Sequence, residues 1–183
     1  MTILHIDSSI NGANSASRAI SRSILDQLRT QSPASRVVSR DLVADPLPHL
    51  TLASFSDQEV LDEFLGADTV VIGAPMYNFT LPSQLKAWID RLAVAGKTFR
   101  YTSAGPVGLV HGKRLIVALA RGGIYSQGSP AAAFEHLETY LRSVFRLVGI
   151  EPEFVIAEGL NLSAEKRDSS LRQALGETLR LAA

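Results

Sequence analysis

Three short segments carry residue types that could do chemistry. From Ser8 to Arg18 the chain reads Ser-Ser-Ile-Asn-Gly-Ala-Asn-Ser-Ala-Ser-Arg and runs directly into a helix-period segment. The hydroxyls of Ser9, Ser15 and Ser17, with the free amides and positive dipole end of a helix's first turn, suit an anion. The segment contains neither G-x-x-x-x-G-K-[ST] nor G-x-G-x-x-G. It therefore lacks the lysine that reaches β/γ-phosphates and the glycines that admit a pyrophosphate. A terminal monophosphate fits it better than ATP or NAD. Taken alone, the same segment reads equally well as a polar loop in which Asn14 or Ser15 caps a helix.

The second segment, Pro75-Met76-Tyr77-Asn78-Phe79-Thr80-Leu81-Pro82-Ser83, brings a polarisable side chain and two aromatics to one loop. Such residues offer flat apolar area, although Phe79 also suits closure of the core under a turn. The third, Ala120-Arg121-Gly122-Gly123-Ile124-Tyr125, pairs two glycines that let backbone approach a planar ligand closely. Together the three describe a monophosphate clamp joined to a flat, aromatic-walled, amide-lined slot. Flavin mononucleotide has that shape.

The elements that must position these loops are legible from periodicity. Short apolar runs at Thr2–Asp7, Arg36–Asp41, Thr69–Ala74, Arg114–Ala120 and Glu153–Ala157 alternate with helix-period stretches. Their stripes are Ile20/Ile24/Leu28, Leu85/Trp88/Ile89/Leu92, Phe134/Leu137/Leu141/Val144/Phe145/Val148 and Leu171/Leu175/Leu179. A further short helix is expected over Asp57–Leu65, capped by Ser56 or Asp57 and stopped at Gly66. This alternation predicts an α/β protein with a doubly wound five-stranded parallel sheet; the two doubly wound orders are the leading topologies, and the flavodoxin-like order 2-1-3-4-5 is the natural one for five strands. Ligands of such sheets sit at the carboxyl ends of the strands, where all three segments fall.

The 183 residues suit one domain spanning 1–183. With 18 basic and 18 acidic residues the formal net charge is zero, so no global field draws polyanions, and nucleic acid is not expected as a partner. The absence of Cys excludes disulfide frameworks, thiolate metal sites and cysteine nucleophiles. The His residues at 5, 49, 111 and 136 lack metal-ligand spacing, and no G-x-S-x-G elbow appears, so neither a metal nor a catalytic side chain is expected. The apolar runs fall far short of the ~20 residues of a membrane span. A basic leader is lacking at Met1-Thr2-Ile3-Leu4-His5, and a soluble cytoplasmic protein is expected.

The motifs Pro75-Met76-Tyr77-Asn78-Phe79, Leu85-Lys86-Ala87-Trp88-Ile89-Asp90, Gly96-Lys97-Thr98-Phe99-Arg100-Tyr101 and Arg121-Gly122-Gly123, in this order, strongly resemble those of the FMN-dependent NADH-azoreductases. The resemblance runs nearly end to end. It implies a homodimer with FMN at the subunit interface, reducing quinones and azo compounds with NADH or NADPH. By motif position it implies that Ser9, Ser15, Ala16 and Ser17 hold the phosphate and that Met76, Tyr77, Asn78 and Phe79 line the isoalloxazine and ribityl. Ala120, Arg121, Gly122 and Gly123 would offer amides to the ring's polar edge, with Tyr101 near the ring and Tyr125 on the substrate side. Two departures stand out: the stretch from Asp45 to Asp57 is short for the family, and Ala120 stands where Ser is common. An FMN-binding electron carrier or a flavin redox sensor would use the same loops; the balanced charge argues against the carrier, which needs an acidic face to steer its partner.

Overall fold

Every residue of the strand Thr69–Pro75 is buried, as a central strand covered on both faces must be. The computed structural model describes residues 1–52, 54 and 58–181. Its strands are β1 (Thr2–Asp7), β2 (Arg36–Asp41), β3 (Thr69–Pro75), β4 (Phe99–Thr102), β5 (Gly105–Gly108), β6 (Arg114–Ala120) and β7 (Glu153–Ala157). The helices are α1 (Ala16–Gln31), α2 (Glu59–Gly66), α3 (Ser83–Ile89), α4 (Glu138–Val148) and α5 (Ala164–Thr178). Five strands form a parallel sheet in the order β2-β1-β3-β6-β7. Numbered within that sheet, this is the doubly wound order expected. The chain changes direction between β1 and β3, so the loops after β1, β3 and β6 open along one edge.

Alternation along the strands divides the core in two. Leu4, Ile6, Val70, Ile72, Leu115, Val117 and Leu119 pack beneath Phe64, Trp88, Leu141 and Phe145 of α2, α3 and α4. Ile3, Val71, Ile116, Ala118 and Val155 face Ile20, Ile24, Leu28 and Ala174 of α1 and α5. Each such side chain contributes roughly 1.5–3 kcal/mol by leaving water, so the two faces fix the register of the sheet.

Four local expectations need adjustment. Residues 99–108 form an antiparallel β4–β5 hairpin outside the main sheet, and its four-residue strands are too short to carry a period. The proposed caps Ser56 and Asp57 lie outside the described residues; α2 begins at Glu59 after Gln58 and includes Gly66. Phe134 belongs to a 3-10 turn, Ala132–Phe134, ahead of α4 and is 51% exposed. The break follows from Glu135, whose carboxylate accepts the amides of Leu137, Glu138 and Thr139 and so caps α4. Along α5 the fully buried face is Ser170, Ala174 and Thr178, one position before the Leu171/Leu175/Leu179 stripe. Ser170 donates to the Glu158 carbonyl and Thr178 Oγ1 lies 2.7 Å from Ser23 Oγ, so small residues let α5 lie close to β7 and α1.

The hairpin docks by backbone contact. A Cβ on Gly108 would lie 2.2 Å from the Gly149 nitrogen and 2.5 Å from the Val148 carbonyl carbon, whereas one on Gly66 would meet nothing within 4 Å. Gly108→Ala is therefore expected to cost about 2 kcal/mol by overpacking. Gly66→Ala is expected to be stabilising by no more than about 1 kcal/mol. Urea midpoints at constant m-value measure both; equal effects would contradict the packing.

Candidate functional site

Helix α1 begins with Ser15 as its cap: Ser15 Oγ accepts the Arg18 amide at 3.3 Å and lies 3.1 Å from Ser17 Oγ. The amides of Ala16 and Ser17 have no acceptor among the described residues, the usual condition of a first helical turn. Ser9, Ser15 and Ser17 are buried. These groups line a narrow cleft of about 150 Å³ that is bounded also by Asn11, Asn14, Leu160, Asn161 and Arg167. No carboxylate lines it. A donor set of hydroxyls, amides and guanidinium without acid fits a phosphate dianion.

The loop after β3 turns back at once. Tyr77 and Thr80 exchange both backbone hydrogen bonds around Asn78 and Phe79. Asn78 and Phe79 have φ of 46° and 71°, left-handed values uncommon outside glycine. The turn sends Tyr77 inward, where its hydroxyl lies 3.2 Å from Ser9 Oγ and accepts the Ile10 amide at 3.1 Å. Phe79 points the other way, stacked on Phe134 at 5.2 Å and edge-on to Tyr125 at 6.2 Å. Its carbonyl accepts the His136 amide. Met76, Asn78, Phe79, Gly122, Gly123 and Tyr125 line a second, wider depression of about 410 Å³. The two depressions share Met76, Gly122 and Asn161.

The loop after β6 separates backbone from side chain. Gly122 and Gly123 amides have no acceptor among the described residues, whereas the Arg121 amide donates to Ala157 O. The Arg121 side chain is buried away from the opening, with Nη2 2.6 Å from Glu138 Oε2 and Nη1 3.5 Å from Glu158 Oε2. Glu158 also accepts the amides of Tyr125 and Ser126, so this ion pair sets the course of the glycine loop. Gly122 lies close to the β7–α5 connection: a Cβ there would lie 2.5 Å from Asn161 Nδ2, so the Asn161 side chain would have to shift to admit one.

Among the residues expected in the site, Ser9, Ser15, Ala16, Ser17, Met76, Tyr77, Ala120, Arg121 and Gly122 meet in the narrow cleft, and Asn78, Phe79, Gly123 and Tyr125 in the wide one. Tyr101 does not join them. It sits on β4, 76% exposed and packed edge-on against Phe99, because the hairpin stands off the sheet. Asn161 and Arg167, from the β7–α5 connection and α5, were not anticipated; both lie beyond any recognisable motif.

Beneath the serine loop lies a polar network. Asp7 accepts Ser21 Oγ at 3.0 Å; Arg18 spans Asp41 with two 2.7 Å bonds and donates to the Ser9 carbonyl. The Arg18 bonds hold the Asp41 carboxyl down at about 2. His5 Nε2 lies 3.1 Å from Ser21 Oγ, and burial lowers its pKa against the opposing pull of Asp7, with Arg22 and Arg18 adding to the lowering.

Wide parallel sheet, loops opening at its carboxyl edge and an acid-free anion cleft define a flavodoxin-like α/β protein. A sequence model of the family described as Flavodoxin-like fold matches residues 1–181. A protein of Sinorhizobium fredii named FMN-dependent NADH:quinone oxidoreductase is 52% identical over 206 residues, covering all of both chains. One of the same name from Methylorubrum extorquens is 51% identical over 194 residues, 96% of each chain. An azoreductase from Bacillus anthracis superposes with a TM-score of 0.91 at 31% identity, over 100% of this chain and 98% of that one. A second solved structure, an FMN-dependent NADH-azoreductase of that species in complex with FMN, gives 0.86 at 26% identity over the same shares. The chain belongs to the flavodoxin-like family and, within it, to the FMN-dependent NADH:quinone oxidoreductases. The 206-residue alignment exceeds the 183 residues of this chain, so the Sinorhizobium protein carries sequence that is lacking here.

The His5 environment has a signed consequence for stability. Its folded pKa is below the unfolded value near 6.5, so as pH falls through 6.5 the unfolded chain takes up a proton that the folded chain resists. Unfolding free energy is expected to decline from pH 8 to pH 5, and His5→Gln to flatten that decline. Further acid, from pH 4 towards 2, should remove the Arg18–Asp41 contribution in both proteins. An unchanged slope between pH 8 and 5 in the variant would contradict the assignment.

Proposed function

We propose that the chain is an FMN-dependent oxidoreductase, one domain over residues 1–183, that transfers hydride equivalents from NADH or NADPH to quinones and azo compounds by a ping-pong mechanism. The observation carrying this reading is the pair of adjoining depressions at the sheet edge, one narrow and acid-free, the other wide and aromatic-walled, which share Met76, Gly122 and Asn161. Relatives near 50% identity bear the matching name. Ser9, Ser15 and Ser17 would hold the phosphate by their hydroxyls, with the Ala16 and Ser17 amides beside them. Met76, Tyr77, Asn78 and Phe79 would flank the flavin, and Ala120, Arg121, Gly122 and Gly123 would bring backbone to its polar edge. Ala120 needs no hydroxyl for that, since the unpaired amides belong to Gly122 and Gly123.

FMN held there would supply a two-electron relay between the dihydronicotinamide and the acceptor. The protein's part is to bind and orient. Phe79, stacked on Phe134 and met edge-on by Tyr125, gives the opening an apolar wall. Donor and acceptor take the same open face in turn, so one leaves before the other enters. No side chain of the cleft is required to carry a proton.

We also propose a homodimer in which the partner's Tyr101 closes the cleft. Tyr101 and Val107 are 76% and 41% exposed on a hairpin that stands away from its own cleft, and Phe79 and Phe134 are 44% and 51% exposed at the opening. A second copy would cover this apolar surface.

Purified protein is expected to be yellow, to release FMN rather than FAD on denaturation, and to bleach with NADH. Initial rates at several fixed quinone concentrations should give parallel double-reciprocal lines. A colourless protein that does not bind added FMN would sink the assignment, and intersecting lines would sink the ping-pong order. Sedimentation should give a dimer at micromolar concentration; an active, flavin-loaded species near 20 kDa contradicts the shared site.

A further inference from the structure

We propose that Arg167 is the residue by which this enzyme selects a phosphorylated flavin: its guanidinium supplies the positive charge that pairs with the FMN phosphate. The inference rests on reading the narrow cleft as the phosphate end of an FMN site and assigns to it a residue outside the serine loop.

Three arginines stand at or beneath that cleft. Arg18 is neutralised by Asp41 and Asp7, and Arg121 by Glu138 and Glu158. Arg167 alone pairs with no carboxylate among the described residues; its side chain lines the cleft beside Ser15 and Ser17. Nη2 donates to the Asn14 carbonyl at 2.9 Å, which uses one of the five guanidinium N–H groups and leaves the rest free for a phosphate's oxygens. The contact also ties the cation to the residue preceding the cap of α1, so the charge is held beside the hydroxyls.

Helix α5 itself does not favour a cation at Arg167. This residue occupies the first turn of α5, whose cap is Ser163, and a cation there opposes the helix dipole. Its charge strengthens the hydrogen bond to the Asn14 carbonyl, but no ion pair with an acid of the described residues compensates it. With no carboxylate in the cleft wall, a dianion would meet one uncompensated cation, two unpaired amides and three hydroxyls. Riboflavin, which has the same ring and ribityl but no phosphate, would leave that cation unused.

Flavin-free protein titrated with FMN, riboflavin and inorganic phosphate, followed by quenching of flavin fluorescence, tests this directly. Arg167→Gln is expected to weaken FMN by about tenfold or more, to leave riboflavin within about twofold, and to flatten the salt dependence of FMN binding. Phosphate should compete with FMN in the wild type and much less in Arg167→Gln. Arg167→Lys should retain most of the affinity and the salt dependence, because the charge remains. Equal losses for FMN and riboflavin, or an unaltered salt dependence, would reduce Arg167 to a support of the Asn14 loop and overturn the proposal. So would undiminished FMN affinity in Arg167→Gln. A wild-type protein that binds neither flavin would overturn the FMN reading itself, whereas one that binds FMN while the variant loses nothing would overturn the role of Arg167 alone.

Discussion

A carboxylate buried at the end of the first strand organises the serine loop. Asp7 is 7% exposed, at the last residue of β1, and it fits because its neighbour on β3 is Gly73, where a Cβ would come within 2.6 Å of Asp7 Oδ1. Such a group is tolerated only when fully engaged, and Asp7 engages Ser21 and Arg18. Arg18 then has two tasks: it closes the charge balance with Asp41 and grips the Ser9 carbonyl through Nε and Nη2. The loop after β1 is thereby fastened to β2 and α1, and its hydroxyls are prearranged. Removing one partner of such a network generally costs about 3–5 kcal/mol, more than the median exposed pair contributes. The anion cleft is thus held by interactions that lie beneath it.

Fold class was open to reading because each strand carries its own burial pattern. The runs beginning at Thr2, Arg36, Arg114 and Glu153 are strands over the very residues the periodicity selects, and β3 extends one residue further, to Pro75. What escaped reading had no period to read. The β4 and β5 strands are four residues each and rest on the backbone contact of Gly108 with Gly149 rather than on an apolar stripe. On α5, Leu171 and Leu175 pack part-buried against the core as their spacing suggests, Leu179 is exposed, and the fully buried face against β7 and α1 is Ser170, Ala174 and Thr178. Close approach there is decided by small volume and hydroxyl bonds, and hydropathy alone does not register either.

The candidate cleft was legible where backbone and small residues line it and less so where side-chain direction decides. The glycines at 122 and 123 and the serines at 9, 15 and 17 fall on the cleft as their types suggest. Arg121 shares the motif but turns its charge into Glu138 and Glu158, and Tyr77 sets its hydroxyl 3.2 Å from Ser9 Oγ. Asn161 and Arg167 close the cleft from a segment more than 140 residues beyond the serine loop. The packing of α5 against α1 on one face of the sheet brings the β7–α5 connection to the loop after β1, so no local pattern announces them.

The loop after β3 explains how the wide end of the cleft is shaped. A two-residue turn of this hand normally takes Asn-Gly; here Phe79 holds the second position at φ 71°, at a cost of about 1–2 kcal/mol for a side chain in the left-handed region. The turn is retained because the surroundings over-determine it. Tyr77 and Thr80 close the backbone ring, His136 donates to the Phe79 carbonyl, and Phe134 stacks on the aromatic face. Aromatic contacts of this kind contribute roughly 0.5–1.5 kcal/mol, which offsets much of the strain. Glycine would satisfy the turn more cheaply and would leave no ring at the opening. The strain and the aromatic wall are therefore two aspects of one arrangement: a single reversal of the chain directs Tyr77 to the anion end and Phe79 to the apolar end, and joins the two halves of the cleft at Met76.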